Sequence, residues 1–270
     1  MELRPIHGLP ETPQAVVERL RAAGPSIVAL SGGVDSGVVA LLAHRALGTE
    51  ARAVTLTGPS LPAEERAMAG AVARAIGIEH AEIPVDQLSR EEYRSNPENR
   101  CYFCRQVETT AIRRLAAGVG ITVLLDGVHL DDLGDIRPGL KAMDEAGFRH
   151  PLLEAGWRKS DVRECARSVG LPNWDRPSNA CLASRVRHGE SISAALLAAV
   201  DRAESAVRGF GFRRVRVRVS AGGARVVVGA DEVERLIAPP TAQRVVDSLL
   251  TIGFSEVTLD PAGYAPRPGG

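Results

Sequence analysis

An apolar run from Ile27 to Leu30 stops at Ser31-Gly32-Gly33-Val34-Asp35-Ser36, and a helical pattern begins at once. Strand, tight turn and helix in that order leave little freedom in how this part of the chain folds. Paired glycines let backbone approach a ligand, and the first free N–H groups of the helix favour an anion at the positive end of its dipole. A chain of phosphates fits there. Ser31 and Ser36 add hydroxyl donors, and Asp35 in the first helical turn can hold a magnesium ion. No Gly-Lys-Ser/Thr follows, so the Walker A pattern and its phosphate-tracking lysine are absent. A plain Gly-Gly connection with a capping serine is the bland alternative, and it explains fewer of the six positions.

The 270 residues are 44% hydrophobic and 24% charged, enough for one substantial core and a smaller second one. Lys plus Arg and Asp plus Glu both total 33, so the overall balance calls for neither nucleic acid nor an anionic membrane. Residues 1–10 carry no signal-like apolar core, and no run is long enough to cross a bilayer, which predicts a cytoplasmic protein. Cys101, Cys104, Cys165 and Cys181 are too few and too uneven for a disulfide scaffold and read as thiols in a reducing compartment.

Thr12 to Ala23 reads as an opening helix, and the helix after Ser36 runs to about Leu47. Ala51–Thr57 is a second strand, about Pro62 to Ile76 a helix, and His80–Val85 a third strand. After a polar stretch containing Pro97 and the Cys101–Cys104 pair, Arg105–Ala117 is helical and Ile121–Leu125 is a buried strand. This alternation predicts a doubly wound parallel sheet, whose ligands bind beyond the carboxyl ends of the strands. Gly32, Gly58 and Asp126-Gly127 all fall there. From Gly127 to Arg187 the chain is loop-rich, with a helix near Ser160–Val169 capped by Ser160. A long helix at Ser191–Arg208, a hairpin of Arg213–Val219 with Arg225–Gly229, a helix at Thr241–Leu250 and a strand near Glu256–Leu259 then make a small α/β unit.

Cys181 sits in a loop with Arg176 on one side and Arg185, Arg187 and His188 on the other, and nearby positive charge favours thiolate. It reads as a nucleophile, a metal ligand or a small buried residue. Cys101-Tyr-Phe-Cys104 is spaced for two ligands of one metal or for a redox pair, and the alternative is two ordinary cysteines flanking aromatics. A third ligand requires Cys181 or Cys165 to fold in beside them. Cys165 itself lies in the apolar series Val162, Cys165, Ala166, Val169 and should face a core. The four aspartates and one histidine between Asp126 and Gly139 suit magnesium and nucleotide, but taken alone they favour a solvated acidic loop. Arg214, Arg216 and Arg218 share one strand face, either as a phosphate-gripping stripe or as a solvated one.

SGGVDS at Ser31 resembles the PP-loop of enzymes that cleave ATP between its alpha and beta phosphates and adenylylate a substrate oxygen. NRCYFC at Asn99, LDGVHLDDLGDIRPG at Leu125, HPLLEAG at His150, LPNWDRPSNACLASR at Leu171 and VRVR at Val215 extend the resemblance over nearly the whole chain. They resemble the LarE family, the sulfur transferases that build the pincer cofactor of nickel-dependent lactate racemase and related enzymes. The resemblance implies an adenine nucleotide alpha hydrolase-like α/β fold over residues 1–188. A smaller C-terminal α/β domain follows at 189–260 for substrate and subunit contacts, and then a disordered tail at 261–270.

It further implies ATP and magnesium at Ser31, Gly32, Gly33, Asp35, Ser36, Thr57, Asp126 and Gly127, with Asp35 on the metal. The substrate is a pyridinium mononucleotide with two carboxylates, held by Arg185, Arg216 and Arg218. Members with one site cysteine, matching Cys181, give up its sulfur and are left with dehydroalanine. Members with three, matching Cys101, Cys104 and Cys181, resemble a type that holds a 4Fe-4S cluster carrying an extra sulfide, and this chain has all three. A sulfide or other sulfur donor, partner enzymes of cofactor synthesis and a homohexamer with Glu204 at the subunit junction complete what the resemblance implies. The chain departs from the family at Arg225-Val226-Val227, where a glutamate expected of a junction metal site is missing. Other PP-loop chemistry, such as tRNA thiolation or amidation, and a nonenzymatic cluster or cofactor carrier are the alternatives. Balanced charge and 4% aromatic residues argue against an RNA substrate.

Overall fold

The computed structural model describes residues 10–134 and 138–264. In chain order, α1 (Pro13–Ala23), β1 (Ser26–Ala29), α2 (Val34–Leu47), β2 (Ala51–Thr57), α3 (Ala63–Ile76) and β3 (Glu79–Pro84) follow the pattern read from the sequence. Next come α4 (Glu91–Arg94), α5 (Arg100–Gly118), β4 (Val123–Leu125), α6 (Pro138–Glu145), β5 (Phe148–Arg149), α7 (Pro151–Glu154) and α8 (Lys159–Ser168). All five strands run parallel in the order β3-β2-β1-β4-β5. The order reverses between β1 and β4, and the crevice of such a sheet opens at that reversal.

Alternating side chains of these strands bury against helices on opposite faces. Val28, Ala53 and Leu125 join Val38, Leu42, Val162 and Cys165 in one core, so Cys165 faces a core as expected. Ile27, Val54 and Leu124 join Ile112, Met143 and Phe148 in another. Two glycines bring the crevice walls together. Gly32 has φ +90°, and a Cβ there would stand 2.4 Å from the Glu65 carbonyl oxygen. A Cβ on Gly127 would stand 2.6 Å from the Ser36 amide nitrogen.

The remaining elements are α9 (Ala194–Gly209), β6 (Val215–Ser220), β7 (Gly223–Val228), α10 (Val233–Ile237), α11 (Thr241–Ile252) and β8 (Val257–Leu259). β7 pairs antiparallel with β6 and parallel with β8. Val215, Val217 and Val219 bury one face of β6 against Leu197, Val200 and Val207 of α9. That second core also takes in Tyr93, Leu182, Ala183 and Val186 from the N-terminal side. Among the described residues no helix is long and apolar enough to cross a membrane.

Three local readings differ. α5 begins at Arg100, so the Cys101–Cys104 pair lies in its first turn and not in a loop before it. Its opening residues lack a sheet-facing apolar period because they turn toward the second core, where Phe103 and Cys104 pack. α8 begins before Ser160, with Arg158 as its cap, and the Asp161 carboxylate reaches back to accept from the Arg158 amide at 2.7 Å. In the expected disordered tail, residues 261–264 run back beside β7, with the Tyr264 amide donating to the Val228 carbonyl at 2.6 Å. The rest of that tail lies outside the described residues.

Gly127→Ala forces backbone apart in the sheet crevice, and should lower unfolding free energy by about 1–3 kcal/mol. Urea titration of the variant against the parent measures it.

Candidate active site

Leu30 leaves β1 with its amide on the Val54 carbonyl, and the loop that follows ties itself together through its serines. The Ser36 hydroxyl takes the Ser31 amide at 3.2 Å and donates to the Gly33 carbonyl at 3.1 Å, while the Ser31 and Ser36 hydroxyls meet at 3.2 Å. Gly33, the cap residue of α2, brings no capping side chain, so the first amides of this 14-residue helix are available to an anion. Thr57 closes β2, and Asp126 and Gly127 follow β4. The expected ATP residues therefore gather at the carboxyl ends of three adjacent strands.

Lys159, unremarked in the sequence, enters this loop from 124 residues away. Its Nζ lies 2.7 and 2.6 Å from the two carboxylate oxygens of Asp35, and the residue is only 8% exposed. His129 Nε2 approaches the same carboxylate at 3.6 Å. The Lys159 amide in turn donates to Asp131 at 2.8 Å, and that hydrogen bond, helped by Arg158, holds the Asp131 carboxyl below its ordinary pKa. No local pattern marks Lys159, since only the fold brings the start of α8 to the loop.

Asp126 is held rather than solvated. Its Oδ1 accepts from the Val128 amide at 3.1 Å and meets His150 Nδ1 at 2.7 Å, while its Oδ2 is buried without a partner. Asp144 meets the other ring nitrogen of His150 at 2.8 Å. Burial opposes charge on His150, but the hydrogen bonds and charges of the two aspartates outweigh it and raise its pKa to about 9. The acidic stretch is thus partly built into the sheet edge; Asp135 lies outside the described residues.

The segment 171–187 crosses the crevice and continues to the second core. Asn173 Nδ2 donates to the Gly32 carbonyl at 2.9 Å, and the Leu182 amide to the Ser60 carbonyl at 2.9 Å. Farther on, the Arg185 guanidinium donates to the Ala180 carbonyl at 2.8 Å, the Cys181 carbonyl at 3.2 Å and Asn179 Oδ1 at 2.8 Å. It also pairs with Glu204 at 2.7 Å, and both side chains are only 1% exposed. Glu204, expected at a subunit junction, is spent inside the chain: it also accepts from the Val217 amide and from Arg208, each at 3.1 Å.

Cys181 is half-buried, and burial raises its thiol pKa against the lowering effect of Arg100 and Arg185. The thiolate that the flanking arginines favour in the sequence is outweighed by burial here, with Arg185 turned to Glu204 and Arg176 to Glu64 and Glu65. Burial also pushes Cys104 well up, reinforced by Glu108, toward which its thiol donates at 3.4 Å. Cys101 and Cys104 lie three residues apart on α5, and the charge of Cys101 acts on Cys181 as that of Cys181 does on Cys104. Among the described residues no set of three His, Cys or acidic side chains is gathered tightly enough for a single metal ion. Three thiols are nonetheless donors of the kind that hold an iron-sulfur cluster.

The arginine stripe divides. Arg214 and Arg216 line a cavity of about 210 Å³ between the segment 171–187 and β6, whereas Arg218 stands exposed outside it. Arg216 donates to the Val215 and Ser178 carbonyls at 2.8 and 2.7 Å and lies over the Tyr264 ring at 5.7 Å. Burial, reinforced by the charge of Arg185, lowers its pKa to about 10. Arg163, Arg176, Arg208 and Arg213 bring further guanidinium groups to the same cavity, a convergence that no local pattern marks.

A family model described as asparagine synthase matches residues 11–128, the stretch from α1 past β4. The chain is 40% identical over 239 residues to an uncharacterized protein of Synechocystis sp., covering 88% of this chain and 89% of that one. It is 33% identical over 238 residues to the pyridinium-3,5-bisthiocarboxylic acid mononucleotide synthase of Lactiplantibacillus plantarum, covering 88% and 86%. A tRNA-specific 2-thiouridylase of Azorhizobium caulinodans is 30% identical over 191 residues, covering 57% of this chain and 49% of that enzyme.

Replacing Glu204 by Gln strands the Arg185 charge in the interior. The variant should lose about 3–5 kcal/mol of stability, read from its denaturant midpoint.

Proposed function

The chain belongs to the LarE family of PP-loop sulfur transferases, and from that membership and the geometry of the site we propose that it converts pyridinium-3,5-biscarboxylic acid mononucleotide to the bis-thiocarboxylate of the nickel-pincer cofactor. One observation carries the reading. A single segment, 171–187, touches the phosphate-binding loop through Asn173, bears Cys181, and walls the arginine cavity through Ser178.

A substrate carboxylate attacks the alpha phosphorus of ATP, the bond to the bridging oxygen of the beta phosphate breaks, and pyrophosphate leaves. The amides at the start of α2 and Lys159 take up the charge that develops on the leaving group. Magnesium at Asp35, once nucleotide draws Lys159 away, fits the donor chemistry of a carboxylate beside phosphates. The acyl adenylate is then a good electrophile: sulfur adds at its carbon and AMP departs with the bonding electrons. Arg216, supported by Arg214, grips the nucleotide phosphate and sets the carboxylate toward Cys181.

Cys101, Cys104 and Cys181 are the residues that would hold a 4Fe-4S cluster, which would supply the transferable sulfide. The presence of all three cysteines supports that source over sacrifice of the Cys181 sulfur. In this reading the protein works as a homohexamer alongside the enzymes that make and use its nucleotide.

The test is intact mass, iron and acid-labile sulfide on anaerobic protein, before and after ATP, magnesium and the biscarboxylated mononucleotide. Expected are AMP, pyrophosphate and thiocarboxylate with an unchanged polypeptide mass. Loss of the elements of hydrogen sulfide from Cys181 with no iron bound overturns the cluster source, and pyrophosphate release with tRNA but not with the mononucleotide overturns the substrate. Lys159→Met should lower the rate of pyrophosphate release about 10²-fold, as removal of one group stabilising transition-state charge does.

A further inference from the structure

The arginine cavity already contains an anion of the protein's own. Six arginines and two carboxylates line it, and one of those carboxylates, Glu64, projects from the first turn of α3 between two guanidinium groups. Its Oε1 accepts from Arg176 Nη2, and its Oε2 lies 3.1 Å from Arg208 Nε. A carboxylate spread over two arginines uses the donors that a bound phosphate would use.

Both arginines have a second, deeper partner. Arg176 also pairs with Glu65 at 3.2 Å and Arg208 with Glu204 at 3.1 Å, and those two glutamates are 7% and 0% exposed. Glu64 is different: its side chain is 42% exposed, so it can swing into water while Glu65 and Glu204 keep the arginines in place. Beside it, Arg163, Arg214 and Arg216 pair with no carboxylate among the described residues, and Arg163 and Arg216 donate only to backbone carbonyls. The other lining acid, Asp175, is a rim group, 3.7 Å from Arg213 with both side chains more than half exposed.

We infer that Glu64 is an internal placeholder for the substrate's phosphate monoester, seated between Arg176 and Arg208 in the empty protein and displaced when the phosphate binds. The inference rests on the reading of this cavity as the mononucleotide site. Glu64 thereby sets a threshold: a dianionic phosphate, which can also engage Arg214 and Arg216, outcompetes a single carboxylate, and a ligand without one does not. It is a specificity-determining residue of the substrate site.

Calorimetric titration of the full-length protein with inorganic phosphate, and separately with nicotinic acid mononucleotide, tests this. Glu64→Gln should tighten phosphate binding about tenfold, the scale of one charge-assisted contact. Asp175→Asn, which removes the same charge from the same cavity, should tighten it less than about twofold, because screening leaves exposed pairs little weight. The gain from Glu64→Gln should also shrink in an Arg208→Met background, since the competition runs through that guanidinium. Unchanged phosphate affinity in Glu64→Gln, equal gains in the two neutralised variants, or a gain that persists without Arg208 overturns the inference. A phosphate gain as expected, with no mononucleotide binding by either protein, sustains the placeholder and overturns the substrate reading alone.

Discussion

The ion pair of Arg185 with Glu204 is the contact on which the rest of the site hangs. Two charges at 1% exposure carry a desolvation cost of several kcal/mol each, tolerable only when their remaining hydrogen-bonding capacity is used. Here it is used. Glu204 takes two bonds from Arg185, one from Arg208 and one from the Val217 amide of β6, while Arg185 also holds the carbonyls of Ala180 and Cys181. One buried pair thereby fixes the backbone of Cys181 against both α9 and β6. The segment has no regular structure between α8 and a short 3-10 turn at Leu182–Arg185, so side chains must do what a strand ladder would otherwise do.

The other end of that segment is fixed to the sheet crevice by Asn173 on the Gly32 carbonyl. The two places at its ends that are proposed to bind anions share a design. Each presents cationic groups that the chain has provisionally neutralised with its own acid: Asp35 on Lys159 at the phosphate loop, Glu64 on Arg176 and Arg208 in the cavity. Leaving those cations unpaired in a partly buried crevice would repel neighbouring arginines and destabilise the fold. A mobile or metal-binding carboxylate removes that penalty yet yields the donors to a stronger anion.

Much of the scaffold was legible in the sequence and the convergences were not. Apolar, beta-forming runs located β1 and β2, which are buried on both faces, and the pattern of α3, α9 and α11 located those helices to within a few residues, because each packs on a single core. β5 escaped, since two residues cannot display a period, and the start of α5 escaped because Phe103 and Cys104 face a different core from Ile112 and Ala116 in the helix's later turns. Lys159 and Glu64 carry no local signature, and their roles exist only where distant segments meet. The stripe of Arg214, Arg216 and Arg218 was visible as a period, but which arginines enter a cavity depends on the segment at Ser178 and on Tyr264, which cover the strand near Arg216 and not near Arg218.

The thiols set a last constraint on the chemistry. Sequence proximity to arginines argued for a ready thiolate at Cys181, yet burial dominates there and at Cys104, and each sulfur's charge further disfavours charge on the next. Cys104 and Cys181 are therefore poor free nucleophiles at neutral pH, where attack on an acyl adenylate requires the anion. The same burial is no obstacle to ligation. A bound cationic centre deprotonates its thiols outright and cancels the repulsion that keeps them protonated when free. In the function proposed above, burial that works against a sacrificial Cys181 is compatible with Cys101, Cys104 and Cys181 acting as ligands and with sulfur brought from outside the polypeptide.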